Sequence, residues 1–92
     1  MAWTVQWRIK IEKQVGELSE PVQLQFRALV RDIQISGPVR GNWKNYSKLG
    51  ADRHHCHIKS GRPTYVVCWE VMDKKIQIVE VYYVGTHEKA PY

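Results

Sequence analysis

Cysteine is scarce. Two residues, Cys56 and Cys68, occur in a chain of 92, too few to staple a small secreted fold, and free thiols of a reducing cytosol are the expectation. Long apolar runs are missing as well. The longest, Tyr65-Val66-Val67-Cys68-Trp69, has five residues, against the ~20 that a membrane-spanning helix needs, so no membrane partner is expected. Met1 to Trp7 carry no basic segment followed by an apolar stretch, and they do not read as a signal peptide. A cytoplasmic location follows as the expectation. There is no Ser/Gly linker, internal repeat or low-complexity tract, and the length suits one domain spanning residues 1–92. No P-loop, dinucleotide fingerprint or G-x-S-x-G elbow is present. Acids are in deficit, 9 against 14 Lys plus Arg, which gives a net charge of +5. Such an excess favours a polyanionic partner through counterion release, nucleic acid above all; the plain alternative is a charge that serves solubility.

What is present is a change of period along the chain. Trp3, Val5, Trp7 and Ile9 alternate with polar residues, as in a strand with one buried face. Ile11, Val15 and Leu18 then recur at helical spacing, which predicts a short helix over Lys10–Leu18. Ser19-Glu20-Pro21 supplies a cap, an acid and a first-turn proline, and Val22, Phe26, Leu29, Val30 and Ile33 follow on one helical face. Ser36-Gly37-Pro38 should end that helix. Residues Val39–Ala51 read as a loop anchored by Trp43 and Tyr46. Strands are expected over Arg53–Lys59, Thr64–Met72 and Lys75–Val84, joined as an antiparallel meander. In the last of these, Ile76 and Ile78 conflict in phase with Val79, Val81 and Tyr83, which calls for a bulge at Val79-Glu80 or burial of both faces. The sum is a small α+β domain, β-α-α-β-β-β, with two N-terminal helices on one face of a mainly antiparallel sheet.

The chemistry-bearing residues gather late. On a strand Arg53–Lys59, alternation turns Cys56 and Ile58 toward the helices and sets His55, His57 and Lys59 in a row on the other face. Arg62 in the next connection and His87 after the last strand reach that face if the strands are neighbours in order. Imidazoles titrate near neutrality and suit proton transfer at an RNA 2′-hydroxyl and 5′-oxygen, while Lys and Arg suit the phosphoryl charge. Tyr92 is placed to stack on a base. The bland counterpart is a solvated strand face and a hairpin with solubility charges. No metal or other cofactor is expected: adjacent residues of His54-His55-Cys56-His57 point apart on a strand, and the C-x2-C or H-x3-H spacings of zinc sites are absent. Trp3, Trp7 and Trp69 are assigned to packing.

The order of elements, the Tyr65–Asp73 strand and the ending Val84-Gly85-Thr86-His87-Glu88-Lys89 resemble the RelE/ParE superfamily of type II toxin–antitoxin toxins. The resemblance to its RelE branch implies a ribosome-dependent mRNA endonuclease that works in the ribosomal A site, with catalytic positions falling on His57, Lys59, His87 and Tyr92. Phosphate or RNA contacts then fall on His55, Arg62 and Lys89. A further family arginine is matched by Val66, with Arg62 as its substitute from the preceding loop. The ParE branch shares the fold and acts on DNA gyrase without that catalytic set. Both branches imply a cognate antitoxin, and operator DNA only through the complex with it. Plain nucleic-acid binding, resting on the charge, stays as a third reading.

Overall fold

The computed structural model describes residues 2–92. Its longest helix forms where its capping and apolar signals agree. Helix α2, Glu20–Ser36, begins after an extended Ser19, carries Pro21 in its first turn and buries Val22, Phe26, Leu29, Val30 and Ile33. Gly37 ends it at φ +93°, and a side chain there would also meet the Trp3 indole at 3.2 Å. Glycine is therefore required at that corner for two independent reasons. The shorter α1 spans Ile9–Gly16. Its first residue corrects an expectation: Ile9, read as the last inward residue of a strand, is 75% exposed, because the chain turns helical there and the alternation stops.

The strands are β1 (Thr4–Trp7), β2 (Ser47–Lys48), β3 (Arg53–Lys59), β4 (Tyr65–Asp73) and β5 (Ile78–Thr86), and a 3-10 turn covers His87–Lys89. They form one sheet in the order β1-β5-β4-β3-β2. β1 runs parallel to β5 at one edge, and the other neighbours are antiparallel. Both helices lie on one face, where Ile11, Phe26, Leu29 and Ile33 pack against Cys56, Val67, Trp69, Val79, Val81 and Val84. The fold is the α+β arrangement expected, with one strand more. The Val39–Ala51 loop contains β2, paired Ser47 to His55 and Lys48 to His54, and it is tied down by the Trp43 indole, which donates to Asp32 of α2 at 2.8 Å.

The phase conflict near β5 resolves differently from the expected bulge at Val79-Glu80. Ile76 is outside the strand and 67% exposed, in a turn where the Asp73 carboxylate accepts the backbone N–H groups of Lys75 and Ile76 at 2.8 and 3.0 Å. The irregularities fall instead at Met72 in β4 and Tyr82 in β5. Tyr82 is the extra residue that lets Val81 and Val84 face the same core, three positions apart. A third bulge lies at Ile58 in β3, and it bears directly on the site.

Candidate active site

Strand register lays out the face away from the helices row by row. His57, Val66 and Gly85 are aligned across β3, β4 and β5; His55, Cys68 and Tyr83 form the next row, and Arg53, Glu70 and Glu80 the one after. Val66 and Cys68 are wholly buried although they lie outside the core cluster. The chain after β5 is brought back by the His87 N–H, which donates to the Thr64 carbonyl at 2.8 Å. His87 thereby meets His57 edge to face with ring centroids 5.5 Å apart. Tyr92 lies 4.5 Å from His55 and 6.1 Å from His87, and His55 lies 6.1 Å from His57. Four rings from β3 and the residues after β5 thus form one cluster.

The surroundings decide their protonation. Burial lowers the His57 pKa below the usual imidazole value, and the neighbouring His87, His55 and Lys44 lower it further. Burial lowers that of His55 too, opposed by a hydrogen bond from its ring to the Ser47 backbone, while His87 adds to the depression. Ser47 Oγ and His55 Nδ1 are 3.0 Å apart. Both imidazoles are neutral at pH 7 and able to accept a proton. Burial raises the Tyr92 phenol, which keeps it protonated. The cysteines are free and buried, and burial pushes each thiol up to about 12. Neither is a nucleophile at neutral pH.

The cationic residues are arranged less simply. Alternation predicts His55, His57 and Lys59 in one row, but the bulge at Ile58 breaks it, and Lys59 pairs with Tyr65. Its amine folds back onto the carbonyls of Pro63 at 3.2 Å and Ser60 at 3.5 Å. Lys59 and His57 line one groove of about 470 Å³. Arg62 and His87 line a second, of about 570 Å³. Lys89 is apart from both, in a groove with Gln14 of α1 and Glu17 just after it. The His57–His87 pair therefore stands where two grooves meet, with Lys44 and Lys59 in the first and Arg62 in the second.

Two participants were not legible beforehand. Ser47 reaches His55 only because β2 exists, and a two-residue strand leaves no periodic trace. Tyr46 shares a hydrogen bond of 2.7 Å with Nδ1 of His54, which stacks on Trp69 at 5.9 Å on the helix side. His54 belongs to the core, and alternation with Cys56 is the signal that places it there. Among the described residues no three His, Cys, Asp or Glu side chains are grouped to hold a metal ion.

No protein-family model matches the chain, and a search of the curated proteins gives no significant match. Solved structures do match. A double arginine-to-alanine variant of the E. coli toxin RelE in the free state superposes with a TM-score of 0.73 at 20% identity, over 98% of this chain and 88% of that one. The archaeal RelE–RelB complex from Pyrococcus horikoshii OT3 gives 0.71 at 13% identity, over 98% of this chain and 100% of that chain. This chain has the fold of those RelE structures.

Proposed function

We propose that this protein is the toxin of a toxin–antitoxin pair and acts as a ribosome-dependent mRNA endonuclease. The observation that carries the reading is the edge-to-face contact of His57 with His87, two imidazoles from separate segments at the junction of two cation-lined grooves. Held neutral, His57 takes the proton of a ribose 2′-hydroxyl. The 2′-oxygen forms a bond to phosphorus, the bond from phosphorus to the 5′-oxygen breaks, and His87 gives a proton to the leaving oxygen. The products are a 2′,3′-cyclic phosphate and a 5′-hydroxyl. Lys59 and Arg62 offset the charge gathering on the phosphoryl oxygens, and Tyr92 and His55 support an adjoining base. The cognate partner is an antitoxin; the RelE–RelB complex among the structural neighbours supports that choice. Operator DNA is reached only through that complex.

Cleavage of mRNA on programmed ribosomes tests the reading. His87→Ala and Lys59→Ala should each lose most of the activity, and retention of the wild-type rate by both would overturn it. A second reading, a ParE-like inhibitor of DNA gyrase, draws on the wholly buried Val66 where an arginine is expected. Inhibition of supercoiling without any mRNA cleavage would favour it.

A further inference from the structure

The groove beside His57 is built from more than that histidine and Lys59. It is walled by Gln25 and Asp32 of α2 and by Asn42, Trp43 and Lys44 of the segment before β2. Trp43 is fixed there: its indole donates to Asp32 Oδ2 at 2.8 Å, which leaves Oδ1 free. Its neighbour Lys44 is anchored through the main chain, where the Lys44 carbonyl accepts the His57 N–H at 2.8 Å. The Lys44 side chain is exposed and takes no part in the ion pairs among the described residues. Asn42 accepts from Arg40 at 3.4 Å through its oxygen, so its amide N–H groups remain to donate. A half-buried planar ring, free amides, a carboxylate oxygen and an unpaired ammonium then line one opening, of a size usual for small-ligand sites.

We infer that this groove is the subsite for the nucleotide next to the scissile phosphate, with Trp43 as stacking platform, Lys44 on the adjoining phosphate and Gln25, Asn42 and Asp32 reading the base edge. The inference rests on the nuclease reading, since it takes His57 as the wall shared with the reacting phosphate. A platform stacks any base, whereas amides and a carboxylate discriminate between base edges. Sequence preference at the cut is therefore set by α2 and the segment before β2, and chemistry by the residues of β3 and those after β5.

The test is titration of the whole protein with an RNA trinucleotide whose 2′-hydroxyls are methylated, followed by NMR. The expected result is a shift of the Trp43 indole N–H and of the Asn42 and Lys44 amides, with Lys44→Gln weakening binding about tenfold, the worth of one charge-assisted hydrogen bond. In ribosome assays Asn42→Ala should flatten the cut-site preference and raise KM with kcat retained. Cleavage by the wild type with no shift at Trp43 and an unaltered cut pattern in Asn42→Ala overturns the subsite and leaves the nuclease standing. Shifts at these residues without cleavage by the wild type uphold the subsite as an RNA site and remove the nuclease. Absence of both removes both.

Discussion

His54 and His55 are neighbours in sequence and serve opposite faces of the sheet. On the helix side His54 is 3% exposed and forms a three-ring cluster with Tyr46 and Trp69, its own ring nearly parallel to each. On the other side His55 joins His57, His87 and Tyr92 in a cluster whose rings meet at steep angles. One face uses an imidazole as a flat, hydrogen-bonded filler. The other sets its imidazoles against one another and against Tyr92 at steep angles. The difference teaches that residue type carries little functional meaning until the face is known. The packed core is concentrated on one side and the clustered titratable groups on the other.

The sharpest way to break that division is to truncate each side. Trp69→Ala empties the centre of the helix-covered face and should cost about 3–5 kcal/mol in urea unfolding. His87→Ala, on an exposed residue, should stay within about 0.5 kcal/mol of wild type in the same measurement yet lower ribosome-dependent cleavage by about 10²–10⁴-fold. Comparable stability losses in the two variants would abolish the contrast. Tyr92→Ala should weaken RNA engagement by about 1–3 kcal/mol, with Tyr92→Phe close to wild type, if the ring acts by stacking. Tyr46→Phe removes the hydroxyl from His54 and should cost about 1 kcal/mol of stability without a change in cleavage rate.

The smallest effect is a pH response. His54 is held below the usual imidazole value first by burial, then by Lys48, with Asp52 opposing; His55 and His57 are depressed as well. The unfolded chain therefore binds more protons than the folded one once pH drops below about 6.5. Stability is complete above that value and falls as the solution is acidified toward the depressed folded values. In His54→Gln the decline between pH 7 and 5 should be shallower than in wild type; an unchanged slope would assign the response to the open face alone.

Much of this arrangement could be read from the chain. α2 was legible from end to end because cap, periodicity and glycine stop all agreed, and β3 because its alternation was uninterrupted up to Ile58. β2 was not, since a strand of two residues borrows its hydrogen bonds from β3 and has no pattern of its own. The meeting of His57 with His87 follows from the order of three consecutive strands. The positions of Lys59 and Lys89 do not, because a bulge redirects the first and a 3-10 turn the second. Both depend on local backbone detail that side-chain periodicity does not encode.

The parallel pairing of β1 with β5 joins residues about seventy positions apart, Val5 opposite Val79. During synthesis the first strand emerges long before its mate, and contacts so distant in sequence form late and slowly. The helices can associate early, but the histidine junction comes into being only once the final hairpin has docked. A nascent or truncated chain therefore lacks the assembled histidine cluster until the last strand is in place.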